Sequence, residues 1–405
     1  MKPILVTANS PGEVAWLKSI AAAAQTQYGA SIEVLLLPCT FATGHEAEVA
    51  SALPGVKRVH PKSSYLPLLL WEGRHWDPDT TLIHLGGDLM YSAFLSWRWG
   101  WKSWSYLWAR PWWDSAFQGY FARDLESVQW LRRKRTPEHK IHVVGDLVVD
   151  SVLGQVPEPV DVDPNLICLL PGSRRLEAQR GAPLYLGIAE KLWQRRPKLH
   201  FRLMISPFLA TGQGEISATL LEELLTLPPE PRIGGTRGRL EKHRDQFFLT
   251  TPAGLRVEVI CRDHMQALAP ALLALSIPGT KTAEAATLGV PCLTIVPLNC
   301  PEQLPAIGLL GLLDWLPGGK HLKGRIMTRM KDRVGLLAQP NQRAGKALMP
   351  EIVEFLSPDS ICAEIENLLA QPQRLQEVRG QLRDLYRPLQ GAATKILAAT
   401  FGPVT

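Results

Sequence analysis

Two short segments carry the residue types that bind phosphate. The first is Leu169-Leu170-Pro171-Gly172-Ser173-Arg174-Arg175-Leu176-Glu177; the second, about 110 residues later, is Ile277-Pro278-Gly279-Thr280-Lys281-Thr282-Ala283-Glu284-Ala285. Each follows an apolar run of strand type, residues 166–170 and 271–277, and each opens into a segment that reads as a helix. A strand that ends in a small-residue turn and enters a helix presents unpaired backbone N–H groups and the positive end of the helix dipole, a natural seat for phosphate. Two such turns in one α/β half suggest a nucleoside diphosphate, with Glu284 placed where a carboxylate takes ribose hydroxyls. Pro171-Gly172-Ser173 alone is an ordinary turn; its pairing with Arg174 and with Glu284 at these offsets carries the reading.

The elements that must position these turns alternate throughout the chain. Strand-like runs lie at residues 3–7, 32–37, 81–85 and 141–144, then at 166–170, 200–205, 256–261, 273–277 and 292–296, with helical stretches between. This alternation predicts parallel α/β domains. Residues 154–164 (Gly-Gln-Val-Pro-Glu-Pro-Val-Asp-Val-Asp-Pro) are rich in breakers and lack periodicity, so they read as a linker. The division is 1–155, 163–385 and a last helical segment, 386–405. Residues 211–251 fit poorly, mixing a Leu-rich helix, Pro228-Pro229 and a basic run, and are read as an insertion.

At 405 residues and 46% hydrophobic, the chain is too long for one ordinary core and comfortable for two. The net charge of +6 favours an acidic partner: nucleotide phosphates, an anionic membrane surface or nucleic acid. The six cysteines are scattered without CxxC spacing, which reads as reduced, buried thiols in a cytosolic protein. The N-terminus lacks the pattern of a signal peptide, and no apolar run is long enough to span a bilayer. The ten histidines are dispersed and no metal-ligating spacing is evident, so no metal is expected.

Ten of the 13 tryptophans fall between Trp71 and Trp130, interleaved with Arg98, Lys102, Arg110 and the run Arg132-Arg133-Lys134-Arg135. Trp97, Trp99, Trp101, Trp104, Trp108, Trp112 and Trp113 with these cations fit the lipid headgroup zone, where amphipathic rings and snorkelling cations are both satisfied. The bland reading is core plus an oligomer interface, compatible with a homodimer; a third is stacking on single-stranded nucleic acid. A second basic stretch, residues 318–346, reads equally as a solvated loop or an anionic-lipid contact.

With both turns placed, the chain resembles the lipid A disaccharide synthase family, glycosyltransferases of the GT-B fold. Leu170–Arg174 with Glu177 is similar to the family's Leu-Pro-Gly-Ser-Arg motif, and residues 278–284 resemble its Ser-Gly-Thr-x-x-Leu-Glu turn, with changes at the Ser and Leu positions. Residues 143–150 look like its Gly-containing junction, and Met349-Pro350-Glu351 like its Pro-Glu segment near the nucleotide. Gly12-Glu13 matches the start of its Gly-Glu-x-Ser-Gly-Asp loop, but this chain continues with Val14-Ala15-Trp16-Leu17. That departure and the tryptophans fall in the acceptor-binding half, so the resemblance implies a retained nucleotide-sugar site with an altered acceptor.

The resemblance implies an α/β fold of GT-B type, two Rossmann-like domains with a cleft between them, the last helix crossing back to the first domain. It implies a UDP-sugar as donor, a lipid as acceptor, inversion at the sugar, and a peripheral location at the cytoplasmic face of the plasma membrane. Gly172, Ser173, Arg174, Gly279, Thr280 and Lys281 would meet the diphosphate, Glu284 the ribose, and Glu351 the nucleotide. Asp88, after the strand-end run His84-Leu85-Gly86-Gly87, matches an essential Asp and would be the base; Glu13, beside the acceptor-loop residue Gly12, is the second candidate. Against the base reading, Asp at this position also suits a helix cap. Two rival functions stand: a UDP-sugar epimerase on the same fold, and a catalytically degenerate, membrane-bound UDP-sugar binding protein. Nucleic acid comes last.

Overall fold

A computed structural model describes residues 3–9, 11–38, 44–157, 159–212, 215–300 and 335–402. The chain divides into two compact units. One holds Met1–Gln155, Thr211–Glu215 and Tyr386–Thr405; the other holds Val156–Ala210 and Ile216–Leu385. Cys39 and most of the basic stretch 318–346 lie outside the described residues. The five described cysteines are buried and none is in a disulfide.

The N-terminal unit is a seven-stranded sheet in the order β3-β2-β1-β4-β5-β6-β7, every pairing parallel. Its strands are β1 (Ile4–Ala8), β2 (Ile32–Leu36), β3 (Val56–His60), β4 (Thr81–His84), β5 (Lys102–Tyr106), β6 (Phe117–Ala122) and β7 (Ile141–Val143). The helices between them are α1 (Pro11–Tyr28), α2 (Glu46–Ser51), α3 (Tyr65–Leu70), α4 (Leu89–Trp99), α5 (Leu125–Arg133) and α6 (Leu147–Leu153). Central strands β1 and β4 are buried along their whole length, as expected when helices cover both faces of a parallel sheet. The strand order reverses between β1 and β4, so the C-terminal ends of these two strands form the switch point where open α/β sheets bind ligands.

The second unit has an eight-stranded sheet, β12-β13-β14-β9-β8-β15-β16-β17. Its strands are β8 (Asp163–Leu170), β9 (His200–Met204), β12 (Arg239–His243), β13 (Gln246–Thr250), β14 (Arg256–Ile260), β15 (Ala271–Ser276), β16 (Cys292–Pro297) and β17 (Glu351–Glu354); β10 (Thr211–Gly212) and β11 (Glu215–Ile216) pair in a separate two-stranded sheet, and residues 211–215 of it are grouped with the first unit. The helices are α7 (Arg175–Arg195), α8 (Pro207–Ala210), α9 (Ala218–Leu225), α10 (His264–Leu268), α11 (Thr280–Thr287), α12 (Gln339–Ala344), α13 (Pro358–Leu369) and α14 (Pro372–Tyr386). Here the order reverses between β8 and β15, the strands that end in the two phosphate-type turns. The part of 211–251 read as an insertion supplies α9 and an antiparallel hairpin, β12–β13, that extends the sheet through β14. Its charged edge strand, Arg239-Leu240-Glu241-Lys242-His243, suits an unpaired sheet edge.

The last helix, α15 (Ala392–Phe401), is part of the N-terminal unit. Asp150 of α6 accepts from the Gly391 and Ala393 amides at 2.7 and 2.8 Å, satisfying two of the free N–H groups that open α15. Burial raises the Asp150 carboxyl above its ordinary value, against these two amide bonds.

Candidate functional site

In the second unit, Leu169 and Leu170 pair in register with Leu275 and Ser276, so the turns that follow β8 and β15 leave the sheet side by side. Gly172 has φ +110°, a conformation that only glycine adopts without strain. A Cβ there would lie 2.8 Å from Ile277 Cδ1 and 2.5 Å from Glu177 Oε2. The absence of a side chain is thus required twice, by the backbone and by the neighbouring turn.

Glu177 fixes the first turn. Its Oε2 accepts from the Arg174 amide at 3.2 Å and its Oε1 from Arg174 Nη1 at 3.1 Å, which satisfies the backbone N–H that precedes α7. The Arg174 guanidinium is exposed, so this surface pair leaves it able to exchange partners at little cost. In the second turn Gly279 (φ +142°) caps α11, and Lys281 Nζ donates to Glu284 Oε2 at 2.7 Å. Lys281 and Glu284 line a small cavity with Leu170, Met204, His264, Met265 and Leu268. The structure therefore sets Gly172 against Ile277 at the start of the second turn, puts Lys281 and Glu284 beside Leu170 at the end of β8, and adds His264, which sequence reasoning set aside among dispersed histidines.

Glu351 is held by backbone amides and one side-chain amide. Its Oε2 accepts from the Leu337 amide at 2.6 Å, and its Oε1 from the Ala338 amide at 3.0 Å and from Asn341 Nδ2 at 2.6 Å. With these three donors the Glu351 carboxylate anchors the segment leading into α12.

In the N-terminal unit the register Thr7 with His84 brings the segments after β1 and β4 together. A Cβ on Gly86 would stand 2.5 Å from the Glu13 carboxylate carbon, and one on Gly87 would stand 3.1 Å from Asn9 Nδ2. Glu13, in the first turn of α1 next to Gly12, thus shares one strand-end pocket with Asn9 and the Gly86-Gly87-Asp88 loop. Asp88 is exposed, and its Oδ1 caps α4 by accepting from the Met90 amide at 2.9 Å. Beneath the loop, His84 is fully buried, with Nδ1 2.9 Å from Ser92 Oγ and 3.2 Å from Thr7 Oγ1. Burial pushes its imidazole down to about 4, so the ring is neutral at physiological pH.

The tryptophans divide between core and surface. Trp101 is 2% exposed and packs with Leu5, Leu35, Leu82 and Leu95, so its assignment to a lipid surface is corrected: it is a core residue. Trp99 is half-buried, with its indole N–H on the Leu68 carbonyl at 2.9 Å. Trp104 stacks on Phe121 with ring centroids 5.2 Å apart. Trp97, Trp108 and Trp112 remain exposed. Trp97 and Phe94 of α4 both touch the half-buried Trp113 ring, at 5.4 and 5.5 Å. Leu66 and Leu70 on α3, which packs on α4, are also exposed. Arg98 lies 4.2 Å over Trp99 and Arg110 5.6 Å over Trp112. On α4, Trp97 and Trp99 are two residues apart and face opposite ways, whereas Trp101 lies beyond the Gly100 cap that ends the helix, on the run into β5, and turns into the core.

Among the described residues no helix is long and apolar enough to cross a membrane, and no group of three His, Cys, Asp or Glu has metal-ligating geometry.

No protein-family model matches the chain. It is 27% identical to a lipid-A-disaccharide synthase of Nitrosococcus oceani over 231 residues, 57% of this chain and 46% of that protein. It is 28% identical to the one from Syntrophus aciditrophicus over 237 residues, 58% of this chain and 48% of that protein. The chain spans about half the length of the curated relatives it matches. Among solved structures, a UDP-GlcNAc 2-epimerase from Neisseria meningitidis superposes with a TM-score of 0.53 at 13% identity, covering 99% of both chains. Another UDP-N-acetylglucosamine 2-epimerase gives 0.56 at 11% identity, covering 99% of this chain and 97% of that one. These likenesses show the fold: GT-B type, with two Rossmann-like units. In sequence, over a little more than half of its length, the chain is similar to lipid-A-disaccharide synthases.

Proposed function

We propose that this chain is a glycosyltransferase that moves a sugar from a UDP-sugar to a lipid acceptor at a membrane surface. The observation that carries the reading is the pair of small-residue turns after β8 and β15, side by side at a switch point, with Arg174 leading into α7 and Lys281 and Glu284 on α11. The amides that open α7 and α11, with Gly172, Ser173, Gly279 and Thr280, take the diphosphate oxygens. Arg174 and Lys281 balance the charge that builds on UDP as the glycosidic bond breaks. Glu284 accepts from the ribose hydroxyls.

Asp88 takes the proton of the acceptor hydroxyl. Its Oδ1 is held by the Met90 amide, which fixes the carboxylate and leaves Oδ2 for the substrate. Attack from the side opposite the leaving UDP inverts the sugar. Glu13 and Gly12 shape the acceptor loop. The exposed rings of Phe94, Trp97 and Trp112, the leucines of α3, and Arg98 and Arg110 support docking on an anionic bilayer, where a lipid acceptor resides.

The donor half is tested by titrating the protein with UDP. The wild type should bind and Glu284→Ala should bind at least about tenfold more weakly, the worth of a charge-assisted hydrogen bond. An unchanged titration would remove the ribose role. Isomerised sugar nucleotide formed without acceptor would favour the epimerase, and UDP binding without turnover on any donor and lipid would favour the degenerate binder.

A further inference from the structure

Lys281 and Glu284 are three residues apart on α11, so one helical turn brings Nζ and Oε2 to 2.7 Å. Both side chains are largely covered, at 22% and 13% exposure. The cavity they line is about 10 Å³, near the limit for one water molecule. His264, the first residue of α10, shares that cavity. Its Nε2 is 3.1 Å from the Ile260 carbonyl, which makes Nε2 the protonated nitrogen of the neutral ring and leaves Nδ1 for a second proton. Burial and the Lys281 cation hold the imidazole well below its ordinary value, at about 4, while the Ile260 and Ile205 carbonyls favour the charged ring. Among the described residues that line the cavity, the titratable groups beside it are Lys281 and Glu284. The rest of the lining, Leu170, Met204, Met265 and Leu268, is apolar, and Arg262 and Asp263 are exposed on the preceding turn.

A nucleoside diphosphate arriving at the two turns competes for both members of the pair. Its ribose hydroxyls donate to Glu284, and its phosphate oxygens accept from Lys281. It also adds negative charge beside a ring that the lysine had kept neutral. Resting on the donor-site reading above, we propose that nucleotide binding breaks the Lys281–Glu284 pair and that His264 takes up one proton from solvent at Nδ1 as it does so. The diphosphate pocket thereby gains a cation that exists only when the pocket is occupied. An uncompensated buried cation in the empty site would be costly, and this arrangement avoids it. Donor binding is consequently tighter at lower pH.

The test is calorimetric titration of the full chain with UDP-N-acetylglucosamine, whose esterified diphosphate does not itself titrate near neutrality. It is run in two buffers of different ionisation enthalpy, at pH of about 6 to 8. The wild type should take up a substantial fraction of a proton at the acid end, and its affinity should fall by up to roughly tenfold per pH unit above that. His264→Gln should bind with no uptake and a flat pH profile. Wild-type binding without uptake, or equal uptake by His264→Gln, overturns the proposal while leaving the donor site standing. No binding by the folded wild type overturns the donor-site reading and this inference with it. Should His264→Gln fail to fold, the His264 Cε1 proton resonance of the wild type decides. Its titration midpoint should rise on adding UDP-N-acetylglucosamine, and an unmoved midpoint overturns the proposal.

Discussion

Gly172 and Ile277 meet across the seam between β8 and β15 so closely that a Cβ on Gly172 would lie 2.8 Å from Ile277 Cδ1. The two phosphate-type turns are therefore one packed unit: neither can shift without the other. Gly172→Ala should cost stability, about 1–3 kcal/mol from the φ of +110° alone, and more from the clash. Because the substitution also displaces the α7 amides, UDP affinity should fall at least as steeply as stability. Thermal unfolding with and without UDP measures both. A variant that unfolds earlier yet keeps full UDP protection would separate this turn from the nucleotide.

The role of Asp88 separates into two parts. Asp88→Asn keeps a capping oxygen for the Met90 amide, whereas Asp88→Ala loses it, at about 1 kcal/mol. Both variants should lose roughly 10²–10⁴-fold in transfer, the usual worth of a positioned base, with the UDP titration unchanged. Loss in Asp88→Ala but not in Asp88→Asn would make the residue a cap only.

The strand ends were legible in the sequence because apolar runs closing on small residues have few structural outcomes. Residues 166–170 and 271–277 became β8 and β15, and both turns lie where the register brings them together. The residues that were not legible act through partners distant in the chain or through a face the sequence does not show. Glu351 accepts from amides 13 and 14 residues upstream. Trp101 and Trp97 are four residues apart, yet one is core and the other surface. His264 lacks motif context, and only the packing of α10 on the second turn brings it to Lys281. The hairpin β12–β13 was hidden because its edge strand is mostly charged, with Leu240 its one apolar residue.

Buried neutral histidines set an acid limit on stability. Both His84 and His264 have folded pKa values lowered to about 4 from an ordinary 6.5. Between those values the unfolded chain binds more protons than the folded one, so stability is full above pH 6.5 and falls as pH drops toward 4. Urea unfolding at neutral and mildly acidic pH should show a loss of a few kcal/mol, and His84→Gln should flatten part of that slope. A stability that is constant across this window would contradict the buried neutral state.

The aromatic surface gives opposite expectations for neighbouring tryptophans. Trp101→Ala should destabilise the fold by about 3–5 kcal/mol, as for large core deletions. The pair Trp97→Ser with Trp112→Ser should leave stability nearly intact and reduce co-sedimentation with anionic vesicles. Arg98→Glu with Arg110→Glu should weaken the same binding in a salt-dependent way. Equal vesicle binding by all variants would remove this face as the membrane contact.

The most direct test of the account is to incubate the protein with a panel of UDP-sugars and liposomes of native polar lipid extract, following UDP release and seeking a glycosylated lipid by mass spectrometry. A lipid product made by the wild type and absent with Asp88→Ala is the expected result. UDP released with no lipid product, or a lipid product that Asp88→Ala makes as well, would contradict it.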